Sequence, residues 1–151
     1  MIKPVSRRLD EFLASWSAAS AESRTGVAAA KICEFEKRYG VQLPEAFRAY
    51  LERANGMVDG DMDSERMIHF YGLDLLAPVG GNEAGREEGG SYFVFADFMI
   101  GSHEYAIALA GRDYGSVAIV DDTEPPRVVA DSFVDFVDKY LHSPAALWRT
   151  K

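Results

Sequence analysis

Apolar residues in this chain keep a helical spacing as far as Asn55-Gly56 and an extended one for most of the sequence beyond it. Helices first, strands together and a closing helix predict an α+β fold, not alternating βαβ units. On the helical side, Leu9, Phe12, Leu13 and Trp16 fall at i, i+3, i+4 and i+7 and share one face. The stretch 17–26, rich in Ser, Ala and Gly, breaks that helix, and a second begins near Val27 with Ile32, Phe35 and Tyr39 on its inner face. Gly40 suits a left-handed C-terminal cap and Pro44 the first turn of a third helix, which runs to about Ala54. Its stripe is Phe47, Tyr50, Leu51 and Ala54, and Asn55-Gly56 supplies the stop. Cys33, beside Ile32, reads as a small packed residue.

Past Gly56 a β-rich run occupies 67–73, and Pro78 marks a turn. Residues 80–90 carry Glu83, Arg86, Glu87 and Glu88 among five glycines, the composition of an exposed, mobile loop. Short apolar strands are predicted at 92–100, 105–109, 117–120 and 128–130, forming a mostly antiparallel sheet. Ser132 can cap a final helix with Asp135 at its third position, and Phe133, Phe136, Val137, Tyr140 and Leu141 form the apolar stripe. The 151 residues contain no internal repeat and suit a single domain, with N-terminal helices and a C-terminal helix packed on the sheet.

Charge is distributed unevenly. The net value is -8, yet nine Lys and Arg face seven Asp and Glu up to Gly56, against seven and seventeen beyond it. Such a field repels phosphate backbones and anionic lipid and attracts basic partners, so neither direct nucleic-acid binding nor a membrane is expected. No apolar run reaches the roughly 20 residues that span a bilayer, and Met1 to Pro4 lead into charged residues, which makes the cytoplasm the expected compartment. The single cysteine excludes an intrachain disulfide and agrees with a reducing environment.

Residues suited to catalysis are sparse. His69 lies in a predicted strand, His103 in a hairpin turn and His142 near the end, none at metal-ligand spacing from a second His or a Cys. Neither a Gly-x-Ser-x-Gly elbow nor a phosphate-binding Gly-x-x-x-x-Gly-Lys-[Ser/Thr] loop occurs. The chain is therefore expected to be a binding protein without cofactor or metal, not an enzyme. The alternation Asp59, Asp61, Asp63, Glu65 resembles the start of a calcium loop. With Asp59 as position one, however, the required sixth-place Gly is Ser64 and the twelfth-place Glu is Phe70. A second acidic group, Asp121, Asp122 and Glu124, precedes Pro125-Pro126. Together with Glu83, Glu87, Glu88, Asp97 and Glu104, these carboxylates are candidate contacts for Arg and Lys of a partner protein. The plainer reading of the two acidic clusters is solvated loops that end strands.

The run 32–44, Ile-Cys-Glu-Phe-Glu-Lys-Arg-Tyr-Gly-Val-Gln-Leu-Pro, continued by Phe47, Leu51, Asn55 and Gly56, resembles the N-terminal signature of the SUKH superfamily. The stretch 95–102 with Tyr105, Ala106 and Ile107 resembles a second block of some members, and Ser132, Phe133 and Phe136 resemble the closing helix. The superfamily includes a fungal regulator of cell-wall glucan synthesis and many bacterial immunity proteins. The resemblance implies direct binding of a cognate toxin, often a nuclease or another nucleic-acid-modifying enzyme. The alternative it leaves is a regulatory scaffold in envelope synthesis. Glu36 and Asp97 are the polar signature positions that invite a partner or a buried hydrogen bond, and Met57 departs from the second glycine many members carry there.

Overall fold

The stripes of the N-terminal helices and of the last helix meet over one face of a β-sheet. A computed structural model describes residues 4–16, 25–57, 61–79, 91–98, 103–121 and 126–148. Helix α1 spans Val5–Ala14, α2 Ala29–Tyr39, α3 Glu45–Arg53 and α4 Phe133–His142. The strands are β1 Ile68–Phe70, β2 Ala77–Pro78, β3 Ser91–Phe98, β4 His103–Ala110, β5 Val117–Val120 and β6 Arg127–Ala130. They form an antiparallel sheet ordered β1-β3-β4-β5-β6, with β2 pairing β3 beyond β1 on the same edge. The α+β reading of the sequence is therefore correct.

Helix α1 buries Leu9, Phe12 and Leu13, and Trp16, two residues past the helix end, continues the line into the core. Arg8 pairs with Asp138 at 3.5 Å and Arg53 with Asp10, tying α1 to α4 and α3 at the rim. Such exposed pairs contribute little beside the apolar contact. In α2, Ile32 and Phe35 are buried and Tyr39 packs against the same core. Cys33 is exposed, which corrects its assignment as a packed residue. One helical step of about 100° carries its side chain off the Ile32–Phe35 face.

Gly40 ends α2 with φ 66° and ψ 36°, the left-handed cap expected of it. Glu36 then fastens the turn, because its carboxylate accepts the Leu43 amide at 2.9 Å and the Arg48 guanidinium at 2.6 Å. Pro44 lies one position earlier than predicted. It is the N-cap, with extended ψ of 148°, and its carbonyl accepts the first helical bond from Arg48 N at 2.9 Å. The second helix starts at Ala29, two residues past Val27, whose N–H donates to the Leu51 carbonyl at 2.8 Å.

Past α3, Asn55 and Gly56 form a bracket against the segment entering the sheet. Asn55 Oδ1 accepts the Leu73 amide at 2.6 Å, and Asn55 N donates to the Thr25 carbonyl at 2.8 Å. Gly56 has φ 65°, and a Cβ there would stand 2.4 Å from the Tyr71 carbonyl. Gly40 has the same sign of φ but open space around it. Gly40→Ala is therefore expected to cost about 1–2 kcal/mol, the left-handed penalty alone. Gly56→Ala adds a backbone collision to that penalty and should lower the urea midpoint well beyond it. Equal midpoints would show that the Gly56–Tyr71 approach is not tight. Met57, the departure from the family pattern, is buried, and its amide donates to Phe70 O at 2.8 Å.

The expected strand at 67–73 is shorter than its apolar run. Met67 takes φ 63° as it leaves the turn begun at Asp63, and Leu73–Leu75 form a 3-10 turn tied to Asn55. His103 opens β4 and is not in a hairpin turn. The strands predicted at 92–100, 105–109, 117–120 and 128–130 correspond to β3 to β6, with ends that coincide or differ by one or two residues, and 99 and 100 lie outside the described residues. Ser132 Oγ accepts the Asp135 amide at 3.0 Å, as its capping pattern predicted, and Asp135 reaches back to the Asp131 amide at 3.0 Å. The breaker predicted at 17–26 lies mostly, and the loop at 80–90 entirely, outside the described residues.

Candidate functional site

Helices α1 to α4 share one core cluster with Phe70, Phe95, Tyr105 and Ile119, which point to one side of the sheet. The opposite face carries its own smaller cluster, in which Ala106, Ala108 and Ala118 lie among Tyr92, Val94 and Val120. No helix of the described residues contributes to that second cluster.

A register shift decides which residues reach this outer face. Val94 pairs with Ala106 and Ala96 with Tyr105, so Phe95 is the extra residue of a bulge. Phe95 and Ala96 both enter the helix-side core as a result. Asp97 is thereby returned to the outer face, directly opposite Glu104 on β4 and His69 on β1. Glu104 in turn pairs with Val120, the residue before Asp121.

Two carboxylates facing each other across a strand pair repel. Between them stands the Tyr71 hydroxyl, 3.1 Å from Asp97 Oδ2 and 3.3 Å from Glu104 Oε2. Burial first, and then the two negative charges, push the Tyr71 phenol well above its ordinary range, so it remains a donor. A hydroxyl has a single proton, so at any moment it serves one of the two carboxylates. Beside them a groove of about 300 Å³ runs over the outer face, with Glu104 and Asp121 on its polar side and Leu75, Val94 and Val120 among its apolar walls. Leu75 is 56% exposed at the rim.

Asp97, Glu104 and Asp121 are thus the members of the acidic set that the fold brings together. Asp61 is half-buried nearby, its carbonyl accepting His69 Nδ1 at 2.5 Å, and Glu65 is exposed, 3.6 Å from Arg66. Asp59, Glu83, Glu87, Glu88, Asp122 and Glu124 lie outside the described residues. Asp63 is a correction. It is fully buried and cannot contact a partner. It accepts Arg66 Nη1 at 3.0 Å, the Glu65 amide at 3.0 Å and the Tyr140 hydroxyl, while Arg66 Nε donates to the Tyr140 carbonyl at 2.7 Å. An ion pair with Arg66 thus occupies this carboxylate. Among the described residues no group of three or more His, Cys, Asp or Glu could hold a metal ion. Glu36 is likewise accounted for by its bonds to Leu43 and Arg48.

Tyr71 and Leu75 were missed at the level of sequence. The alternation Ile68 in, His69 out, Phe70 in, Tyr71 out was the available signal, because period two places His69 and Tyr71 on one face.

At the start of β4 the His103 ring stacks on Phe98 at 4.8 Å, and Phe98 stacks on Trp148 at 4.9 Å. Burial lowers the His103 pKa from its ordinary value, while Asp121 raises it and Arg127 lowers it by smaller amounts. A histidine that resists protonation when folded takes up its proton first in the unfolded chain. Stability should therefore be level above about pH 6.5 and fall as pH drops below it, until folded His103 also protonates. Urea melts between about pH 7 and 5 should show that slope reduced in His103→Phe. An identical slope in the variant would assign it to other groups.

A family model described as the SMI1 / KNR4 family (SUKH-1) matches residues 26–139. The chain belongs to that family. The matched span opens beside the Thr25 to Val27 segment that docks on α3 and closes in the last turn of α4, so it contains the whole outer face. Helix α1, which supplies Phe12 to the SUKH core, precedes it. No curated protein sequence matches the chain. No helix among the described residues is long and apolar enough to cross a membrane.

Proposed function

We propose that this SUKH domain is a non-enzymatic protein-binding module that acts in the cytoplasm and neutralises a cognate bacterial toxin by direct contact. Family membership supports the binding role, and the convergence of Asp97, Glu104 and Asp121 on a sheet face to which no helix of the described residues contributes is the observation that carries it. A toxin that acts on nucleic acid presents a basic surface to phosphates, and an acidic face can occupy that surface and associate with it quickly. The expected partner is therefore a nuclease-type toxin.

Coexpression with a toxin-domain protein encoded immediately upstream tests the reading. Growth should be restored and the two chains should copurify. Loss of both would sink the assignment. In the purified pair, charge reversal at Asp97 and Asp121 should slow association more at low than at high salt, because steering by exposed charge is screened over about 10 Å at 0.1 M.

A further inference from the structure

We propose that Lys139 closes the β6 edge of the sheet, so that this chain neither pairs there with a second copy nor takes up a partner's strand. The strand order leaves edges at β1 with β2 and at β6. An open edge offers backbone amides and carbonyls to any extended chain, and the two edges here are treated differently. On β1 the Ile68 carbonyl accepts the Asp63 amide at 2.9 Å and the Phe70 carbonyl accepts the Met57 amide at 2.8 Å, so the chain covers that strand with its own backbone. Strand β2 is two residues long, and its Pro78 has no N–H to give.

Strand β6 lacks both devices. Among the described residues no strand lies beyond it, and Val128 is 44% exposed. Its sequence is also self-complementary. Arg127-Val128-Val129-Ala130-Asp131, laid antiparallel on a second copy about Val129, sets Arg127 of each chain opposite Asp131 of the other.

Lys139 stands at the centre of that arrangement. A register shift leaves Val129 with no opposite residue in β5, and Lys139 Nζ donates to the Val129 carbonyl at 2.8 Å. Asp135 lies 3.2 Å from the same ammonium group and accepts the Asp131 amide at 3.0 Å. One ion pair of α4 thus engages a carbonyl of the strand and the first amide past it. Self-pairing about Val129 would drive two ammonium groups together at the twofold axis. A strand from another protein would have to displace a charge-assisted hydrogen bond at the same point. One consequence rests on the protein-binding reading: the partner meets this chain on a face and not by main-chain addition at β6.

Sedimentation velocity of the full chain, from micromolar to near-millimolar concentration, tests the closure. The parent should remain monomeric. Lys139→Met keeps the length of the side chain without its charge and should self-associate as concentration rises, whereas Lys139→Arg should not. Adding Asp131→Arg to Lys139→Met should weaken that association about tenfold, because Arg127 then faces a like charge. If circular dichroism shows that the methionine variant does not fold, Lys139→Ala serves in its place. A parent that dimerises, a folded uncharged variant that stays monomeric, an arginine variant that associates, or association untouched by Asp131→Arg would overturn the proposal. In the copurified toxin pair, amide exchange along Arg127–Ala130 should match that of the free chain, and new protection there would overturn closure against a partner's strand. The two readings fail separately. Sedimentation uses this chain alone, so absent rescue by the parent removes the toxin and leaves the role of Lys139 standing. A dimerising parent that still rescues growth removes the closure and leaves immunity standing.

Discussion

Asp63→Ala should lose about 3–5 kcal/mol of folding free energy, the cost of removing one partner from a buried ion pair. Two donors of its carboxylate are themselves enclosed: the Arg66 side chain is 14% exposed and the Tyr140 hydroxyl is buried. With the acceptor gone, a guanidinium and a phenol remain inside the fold unpaired. The Arg66 guanidinium also lies 4.6 Å from the centre of the Tyr140 ring, so its displacement would disturb α4 as well as the turn before β1. Urea denaturation against Glu34→Ala gives the comparison. Glu34 is exposed on α2, and its replacement should change stability by within about 0.5 kcal/mol. A mild Asp63→Ala would mean that this carboxylate is solvated, and the network described above would be wrong.

Phe12→Ala should cost about 3–5 kcal/mol, the usual penalty for emptying a large aromatic site in a core. Phe12 has no exposed surface. Its ring centre lies 5.0 Å from that of Tyr140, 5.3 Å from Phe70, 5.5 Å from Trp16 and 5.7 Å from Tyr50, mostly edge-to-face. Those rings belong to α3, β1, α4 and the end of α1, so no single neighbour can shift to fill the gap. The measurement also bears on α1, which precedes the residues matched to the family. A loss below about 1 kcal/mol would show that α1 is detachable from the domain. A loss in the expected range makes it part of the same cooperative unit.

Both substitutions show where sequence reading succeeds and where it stops. Phe12 was legible because an apolar residue at helical spacing has one place to go, and the same reasoning located Ile32, Phe47 and Phe136. Asp63 was not legible, since the acidic alternation around it looks solvated and the group that draws it inward, Tyr140, is 77 residues away. Cys33 shows a smaller form of the problem, with adjacency to Ile32 in sequence meaning a different face on a helix. The site depended on register. In the apolar run at 92–100 nothing marks the bulged residue, yet that residue decides whether Asp97 faces the core or Glu104. The acidic composition of the sheet-forming part could be read directly, while the meeting of Asp97, Glu104 and Asp121 required the strand order.

The packing of α1 on α4 and the bond from Asp63 to Tyr140 also govern the order in which this protein can be made. During synthesis the three early helices emerge with Phe12, Tyr50 and Phe47 still lacking Phe133, the ring that meets all three, and with Phe12 also lacking Tyr140. Local helix formation is fast, but the reward for it is deferred until residues near the end of the chain arrive. A ribosome-bound intermediate therefore carries an open aromatic cleft, and chaperones or an early-binding partner would find it before the finished domain exists.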